Sequence, residues 1–376
     1  MLRPIVKTSI CRASHWIGMD RGAGGKAAFP VVIGYHRVVE DFPSESNRSM
    51  PPMLISTRMF EQHLDWIGKR YRFVSLDELG STLEQRGKFD RPVAAVTFDD
   101  GYRDIYDNAF PILKRKGIPA AVFVVAGMLD APQPLIHDKL YGLLICAFSR
   151  WPDASHVLAC LFRDLGLFSL FIPQRTGRKD NPFRIARSLL SRLPQDDLCS
   201  ILGCLQNKLE PWGGNLDGFQ PLSREMLAEM IQSGITIGSH TQSHVLLTNE
   251  CQCRARQELE QSRLELETKL GIPIYHFAYP DGQFNRQAVQ AVAAAGYRYA
   301  YTTCRHRDPN YSLLTIPRRI LWENTCLDHR GSFSPAIMNC QVNGLFDLLA
   351  NCGKDHEANP IDSACVEERR KVGLAI

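Results

Sequence analysis

Two adjacent carboxylates, Asp99 and Asp100, are the first candidates for chemistry in this sequence. They follow an apolar run over residues 92–98 that predicts a buried strand, and Gly101 behind them allows the backbone to turn. Because neighbouring carboxylates repel each other, a divalent cation bound by one would offset the charge and leave the other free as a base. An ordinary Asp-Gly turn at the end of a strand is the alternative interpretation of these residues alone.

Two histidines provide a second set of candidate metal ligands. His240 ends a predicted strand over residues 235–239, and His244 follows four residues later. In a helical turn this spacing places two side chains about 5–6 Å apart, close enough to share one metal ion. Two imidazoles and one carboxylate leave a coordination position for water, as in catalytic zinc sites. A histidine pair alone is often incidental, but the paired carboxylates at another strand end make a metal site the favoured hypothesis.

The elements that must bring these residues together form a repeating pattern. Four times, a helical stretch ends in glycine and a strand-forming run follows directly. Such units in series predict an α/β fold of parallel strands with helices outside, as a doubly wound sheet or a (β/α) barrel. In both folds the chemistry gathers at the carboxyl ends of the strands. The residues that fall at or just beyond such ends are His36, Asp99, Asp100, His240, Tyr279 and Pro280.

Further elements are predicted on both sides of the paired carboxylates. A first strand is expected to end at His36, and residues 41–56 carry Pro, Ser and Asn residues that predict a loop. An amphipathic helix is expected to begin at Thr57. Residues 104–116 predict another helix, which Pro111 either kinks or divides because proline disrupts a helix interior.

Residues 130–221 interrupt the repeating pattern, since they contain apolar helical pieces and no clear strand. We expect a helical insertion that covers the strand ends and helps to select the substrate. Between residues 173 and 195 it carries an excess of basic side chains, for which a solvated basic face is the favoured interpretation. Contact with an anionic substrate or a membrane surface is the alternative. The basic residues are Arg175, Arg178, Lys179, Arg184, Arg187 and Arg192.

Length and composition restrict the class of protein. The 376 residues, 44% of them hydrophobic, fit one α/β barrel or two smaller domains. The net charge of +4 is too small to indicate a nucleic-acid partner. We divide the chain into an N-terminal tail (residues 1–29), a barrel domain (30–338) that the insertion interrupts, and a C-terminal tail (339–376).

The expected location is cytoplasmic. No apolar run reaches the length of about 18 residues that a transmembrane helix requires. Residues 1–29 lack the apolar core of a secretory signal. The twelve cysteines are scattered along a long chain, which favours reduced thiols over a disulfide framework. Peripheral contact with a membrane is compatible with the basic residues of the insertion.

At these residues the sequence resembles the polysaccharide deacetylase family, carbohydrate esterase family 4, with its NodB-like fold. Residues 97–104 (TFDDGYRD) correspond to the family's first motif, residues 239–244 (SHTQSH) to its second, and residues 277–282 (FAYPDG) to a weaker third. The subgroup most similar is that of the poly-N-acetylglucosamine deacetylases. The resemblance implies a distorted (β/α) barrel of the NodB type, usually of seven strands, here with a helical insertion.

The resemblance also implies the reaction, a metal-dependent removal of N-acetyl groups from N-acetylhexosamine units of an oligo- or polysaccharide, with lipid-linked saccharides among the candidates. The implied ligands of the divalent metal, most often Zn²⁺, are Asp100, His240 and His244. Asp99 is the implied general base. The arginine that orients the base in the family is replaced here by Ala278, and we expect Arg318 or Arg319 to take its place, unless both are surface residues.

Two further roles follow from the resemblance. The backbone N–H of Asp281, just after Tyr279 and Pro280, is expected to help to hold the oxyanion. The departing amine needs a proton, and His36 in the early Tyr-His-Arg motif is the expected general acid, because histidine can donate a proton near neutral pH. His329 is a poor match to the family's late histidine motif. A structural role for His36 is the alternative.

Three functions compete at this stage. The first is an N-deacetylase acting on a saccharide, and the second is a related C–N hydrolase, such as a deformylase or another amidase, acting on a different small amide. The third is a non-catalytic saccharide-binding protein that retained the fold. The presence of Asp99 argues against the third, because binding alone does not require a free base.

Overall fold

A parallel sheet forms the centre of the molecule. The computed structural model describes residue 11, residues 30–129, 133–167, 180–209 and 216–346, and residue 356. The strands are β1 (Val31–Tyr35), β2 (Arg37–Val39), β3 (Leu54–Ser56), β4 (Arg72–Phe73), β5 (Val93–Phe98), β6 (Ala120–Val124), β7 (Thr236–Ser239), β8 (His276–Ala278), β9 (Tyr299–Thr302), β10 (Ile316–Pro317) and β11 (Arg319–Ile320). The central sheet has the order β10-β9-β8-β7-β6-β5-β1-β11 and all of its pairings are parallel.

The two edge strands of this sheet are consecutive in the sequence, and only Arg318 separates them. β10 pairs with β9 at one edge, and β11 pairs with β1 at the other, so residues 316–320 join the two edges and make the sheet a barrel. A Cβ atom at Gly34 of β1 would lie 2.4 Å from Cδ1 of Ile320, so glycine allows the close approach of the closing strand. The predicted α/β fold with a distorted barrel is confirmed.

Burial on both faces explains why the barrel strands are apolar without alternation. Every residue of β5 is buried. Ala94 and Val96 pack in an apolar cluster with the surrounding helices, whereas Val93 and Ala95 pack with side chains of other strands. Barrel strands have a packed inner face and a helix-covered outer face, which is why the sequence shows a continuous apolar run.

Helices cover the outside of the barrel and form the insertion. They are α1 (Phe42–Glu45), α2 (Thr57–Gly68), α3 (Leu76–Glu84), α4 (Phe110–Lys116), α5 (Ile136–Arg150), α6 (Ala154–Asp164), α7 (Pro182–Leu190), α8 (Gln195–Leu209), α9 (Arg224–Gln232), α10 (Gln252–Leu270), α11 (Arg286–Ala294) and α12 (Pro335–Val342). The start of α2 at Thr57 confirms the prediction, and the hydroxyl of Ser56 accepts a hydrogen bond from the Met59 N–H there.

Three local expectations need refinement. The first strand ends at Tyr35, one residue before the expected His36. Residues 41–56 are not only a loop, since they include α1 and also β3, which pairs in parallel with β2. Pro111 divides the helix of residues 104–116, with a π-helical turn over Ile105–Ala109 and α4 behind it, because proline is tolerated in the first turn of a helix.

The predicted helical insertion is confirmed in the described part of residues 130–221. Helices α5 to α8 pack around an apolar cluster of their own, which includes Leu144, Phe162 and Leu202. The basic residues Arg175, Arg178 and Lys179 lie outside the described residues. The proposed limits of the barrel domain stay a prediction, but α12 crosses the expected start of the C-terminal tail at residue 339 and buries Met338 and Val342 in the main core.

Membrane-spanning segments were also predicted to be absent. Among the described residues, no helix combines the length and the apolar character that a membrane span requires.

Candidate metal centre and active site

The paired carboxylates lie at the carboxyl end of β5, where the backbone turns sharply. Asp100 and Gly101 both adopt left-handed conformations, with φ of 73° and 74°. Asp99 is tied to the neighbouring strand by its N–H, which donates to the carbonyl of Tyr35 at 2.9 Å. The turn leaves both carboxylates buried, 3% exposed at Asp99 and 1% at Asp100. The Asp-Gly turn and the shared pocket are therefore one arrangement rather than alternatives.

The two histidines meet Asp100 at the carboxyl end of β7. One ligand atom from each of Asp100, His240 and His244 lies within 4.8 Å of the others. The expected helical turn between the histidines is wrong, because residues 240–246 form a loop in which Thr241 and His244 have φ of 68° and 62°. Left-handed residues, rather than helical spacing, bring the two rings to a centroid distance of 4.9 Å.

The surroundings of Asp100 fit a divalent cation. Both of its carboxylate oxygens are buried and lack a hydrogen-bond partner among the described residues. The Nε2 atoms of His240 and His244 lie 3.7 and 3.2 Å from Oδ1 of Asp100, but neither contact has hydrogen-bond geometry. Buried carboxylate oxygens are costly unless they are paired or coordinate a metal. A cation among these three side chains would satisfy them.

The tautomer of His240 also suits metal binding. Its Nδ1 lies 2.8 Å from the carbonyl of Ala278, so this nitrogen donates a proton and Nε2 keeps a lone pair toward Asp100. Burial lowers the pKa of His240 to about 4, which favours the neutral form that binds metals. Burial raises the pKa of Asp100, but the contact with His244 outweighs it and holds that pKa well below its ordinary value.

Asp99 has a different partner, the guanidinium of Arg318. Two hydrogen bonds of 2.6 and 2.7 Å join the two groups, and a third of 3.1 Å runs from Arg318 to Thr97. Burial raises the pKa of Asp99, but the charge and hydrogen bonds of Arg318 outweigh it and lower the pKa. Arg318 thus occupies the place expected of it opposite Asp99, whereas Arg319 pairs in β11 with Ile33 of β1.

The third motif contributes its backbone turn rather than its aromatic ring. Tyr279 is fully buried and donates a hydrogen bond of 3.0 Å to the carbonyl of Leu314, so its side chain stabilises the core. Pro280 is buried as well. Of these three predicted residues, Asp281 lines the cavity above Asp100, and its φ is 51°.

His36 lies between β1 and β2, at the same end of the barrel as the paired carboxylates. It lines the cavity above them, and its Nδ1 is buried without a hydrogen-bond partner in the described part of the chain. His329, the weaker candidate for the acid, is exposed and does not line this cavity. The structure therefore brings His36 and the candidate metal ligands to one cavity.

A buried polar cluster beside the site was missed at the sequence level. The Tyr102 hydroxyl lies 2.8 Å from Nε2 of His137 and donates to Asp138 at 2.6 Å. The ring of His137 is 5.0 Å from that of His244. Burial lowers the pKa of His137 to about 3 and raises that of Asp138 to about 7. Two signals could have revealed the cluster, the tyrosine within the first motif and the His-Asp pair that opens α5.

A cavity of about 440 Å³ lies between the barrel and the insertion, within the range of small-molecule sites. From the barrel it is lined by His36, Asp99, Asp100, His240, His244 and Asp281. From the insertion it is lined by Ile136, His137, Phe183, Arg187, Leu190 and Leu198. A larger depression of about 540 Å³ around Arg37 contains none of the candidate ligands.

Comparisons with known proteins show which family and fold the chain resembles. The family model described as polysaccharide deacetylase matches residues 86–142 and 206–300. YxkH of Bacillus subtilis, a protein assigned to the polysaccharide deacetylases, is 21% identical over 291 residues, 77% of this chain and 68% of its own length. The poly-β-1,6-N-acetyl-D-glucosamine N-deacetylase of Staphylococcus epidermidis is 30% identical over 109 residues, which are 27% of this chain and only 37% of that protein.

A solved structure shares the fold. The Streptococcus pyogenes deacetylase PplD, determined in complex with acetate, superimposes with a TM-score of 0.53 at 18% identity. The superposition covers 84% of this chain and 99% of PplD. At this identity the likeness supports the barrel fold alone.

Proposed function

We propose, since the chain belongs to the polysaccharide deacetylase family, that it is a metal-dependent hydrolase that removes N-acetyl groups from N-acetylhexosamine units of an oligo- or polysaccharide. The observation that carries this proposal is the different environment of two adjacent carboxylates. Asp99 is ion-paired with Arg318, whereas Asp100 faces two imidazoles without a hydrogen-bond partner in the described part of the chain. Asp99 is thus the carboxylate that can accept a proton, and Asp100 is the one that can bind a cation.

In this proposal the residues divide the work of amide hydrolysis. Asp100, His240 and His244 hold the cation, which when bound polarises the amide carbonyl and acidifies water. Asp99 accepts the proton of the attacking water, and Arg318 fixes both of its oxygens.

The amine side of the reaction is assigned to His36. As the C–N bond breaks, the nitrogen of the sugar takes a proton from His36 and leaves as the free amine, while the acyl group leaves as acetate. The backbone at Asp281 is proposed to hold the carbonyl oxygen during the attack. The support is that both residues line the cavity that contains Asp99 and Asp100.

The polar cluster of the insertion is proposed to fix the site from the opposite side. Because Tyr102 belongs to the loop after Asp100 while His137 and Asp138 open α5, their hydrogen bonds join the insertion to the catalytic turn. His137 then lies against the ring of His244 and limits its movement.

The test separates the two carboxylates. Asp100→Asn should lower the metal content of the purified protein, because only three protein ligands are proposed. Asp99→Asn should keep the metal and lose turnover by about 10²–10⁴-fold, the contribution of a general base. Metal content is measured by elemental analysis, and turnover as acetate release from N-acetylglucosamine oligomers. Equal loss of metal in both variants would contradict the proposal.

The product identifies the reaction class. Release of formate or ammonia in place of acetate would favour the related C–N hydrolases. Zinc is the proposed cation, and removal by a chelator followed by restoration with zinc or another divalent ion tests this identity. The cytoplasmic location and peripheral contact with a membrane stay predictions.

A further inference from the structure

The cavity above the candidate metal ligands has two chemically different sides. Around Asp99, Asp100 and Asp281 it offers charged and polar groups. Elsewhere most of the lining side chains are apolar, and Arg187, Ser191 and Gln195 are polar exceptions on the insertion. The apolar ones include Met53, Ile136, Phe183, Leu190, Leu198 and Leu246. A substrate that fills the cavity must therefore be polar at one end and apolar at the other.

The apolar side is an opening in the core of the insertion. Met53, Ile136, Phe183 and Leu190 pack against the apolar cluster of α5 to α8, yet each is only partly buried and each lines the cavity. The insertion thus presents the side of its own core to the reaction centre. Apolar surface that faces the cavity favours an apolar partner, because removal of this surface from water stabilises the complex in proportion to the area buried.

A second sugar unit would bury hydroxyl groups against the apolar part of this wall. Each hydroxyl of a saccharide that enters the cavity loses water, and burial of a polar group without a new hydrogen bond is unfavourable. The side chains of Phe183, Leu190 and Leu198 offer no hydrogen bond in return. Along the insertion, the hydrogen-bonding partners of an open polysaccharide would accordingly be limited to His137, Arg187, Ser191 and Gln195.

The apolar lining also begins on the side of the cavity assigned to the amine. His36 follows β1, and β11 beside it leads to Ile320 and Trp322, which both line the cavity. Met53 precedes β3, the partner of β2, which starts directly after His36. If His36 protonates the nitrogen, the sugar rather than the acyl group lies on this side, so an apolar chain would be attached to the sugar.

From this arrangement we infer that the substrate is amphiphilic, a saccharide with an N-acetylhexosamine unit whose sugar carries an alkyl or isoprenoid chain. The acetamido group lies at the paired carboxylates, and the chain lies along α5 and α7 of the insertion. The inference rests on the proposed deacetylase function and specifies its substrate class.

A matched pair of substrates tests the inference. Octyl and methyl N-acetyl-β-D-glucosaminide differ only in the apolar chain, and both are assayed for acetate release below micelle-forming concentrations. The octyl compound should show at least a tenfold higher kcat/KM, because burial of about two methylene groups suffices for this factor. Equal values for the two compounds would overturn the inference.

Two further compounds distinguish other occupants. Methyl glucosaminide with an N-octanoyl group places the chain on the acyl side, and a chitin tetrasaccharide places sugars where the chain would lie. A higher kcat/KM for either one than for the octyl glycoside would overturn the inference. Calorimetric binding of the octyl and methyl glycosides to Asp99→Asn separates recognition from turnover. The native protein is assayed for acetate release from all of these compounds. If it releases none while the octyl glycoside binds tenfold more tightly than the methyl glycoside, the result would contradict the deacetylase function but support the amphiphilic site.

A substitution in the wall locates the chain. Leu190→Asn should lower the ratio of kcat/KM for the octyl glycoside to kcat/KM for the methyl glycoside about tenfold. Leu264→Asn is the matched control, since Leu264 of α10 is 67% exposed and does not line the cavity. Phe183→Asn on the same helix is the second variant, and thermal melting verifies that each protein is folded. An unchanged octyl preference in folded Leu190→Asn and Phe183→Asn would overturn the placement.

Discussion

Asp99 forms an ion pair with Arg318, which lies between the last two strands of the barrel. Arg318 is 2% exposed and binds both oxygens of Asp99, so the proposed base is ionised and oriented by one side chain. Because an arginine fork matches a carboxylate in two parallel hydrogen bonds, lysine at this position would keep the charge and lose the orientation.

Arg318→Lys should therefore lower kcat about tenfold at unchanged KM and unchanged metal content. Arg318→Met should lower kcat further, toward the 10²–10⁴-fold effect of losing the base, and cost about 3–5 kcal/mol of stability, because it leaves a buried carboxylate unpaired. Acetate release, elemental analysis and urea unfolding measure the three quantities. A change in KM alone would show that Arg318 acts on substrate binding instead.

His36→Gln tests the proposed acid. The variant should retain metal and lose acetate release from N-acetylglucosamine substrates by about 10²–10⁴-fold, since the amine leaves without a proton. The loss should be smaller for an N-acetylanilide, whose amine needs less protonation. His329→Gln is the control, because His329 is exposed and does not line the cavity. Full activity of His36→Gln would remove the assignment.

The sequence was informative for residues that act within one motif. Asp99 and Asp100 could be recognised because their chemistry depends on adjacency, which sequence shows directly. The choice of Arg318 over Arg319 could not be made, because it depends on which side chain faces the barrel interior where β10 passes into β11. His137 was missed for a similar reason, since its contact with His244 arises from packing of the insertion.

At the scale of elements, α2 could be placed well because its signals are local. Ser56 caps its first turn, and apolar residues recur on one face. His63 lies on that buried face, 0% exposed, 3.2 Å from the Tyr35 hydroxyl. The loop of residues 240–246 was harder to predict, because left-handed backbone at Thr241 and His244 is stabilised by its surroundings rather than by residue type.

Burial of His63 predicts a dependence of stability on pH. Burial lowers its pKa to about 3, against about 6.5 in the unfolded chain. Between these values only the unfolded state binds the proton, so stability falls as pH decreases below about 6.5. The free energy of unfolding of the native protein should fall by about 2 kcal/mol between pH 6.5 and pH 5 because of this residue, at about 1.4 kcal/mol per pH unit. Urea unfolding of His63→Phe at both pH values should show a loss smaller by this amount, and equal losses would contradict the assignment.

At the scale of the whole molecule, closure of the barrel depends on the space above Gly34. Gly34→Ala should cost about 1–3 kcal/mol, because the new methyl group would meet Cδ1 of Ile320. Ile320→Val removes that carbon, so the double variant should recover most of the loss. Urea unfolding of the two single variants and the double variant gives the coupling energy. Additive effects would show that the strand closes without this contact.

The closing strand has a consequence for the biogenesis of the protein. Asp99 and Arg318 are 219 residues apart, so the ribosome synthesises the proposed base long before its counter-charge. Until residues 316–320 have joined the two edges of the sheet, a buried and ionised Asp99 has no arginine to offset it, a state that proteins avoid. The nascent chain must keep this carboxylate protonated or in water. Arg318 therefore takes its place beside Asp99 only in a chain whose barrel has closed.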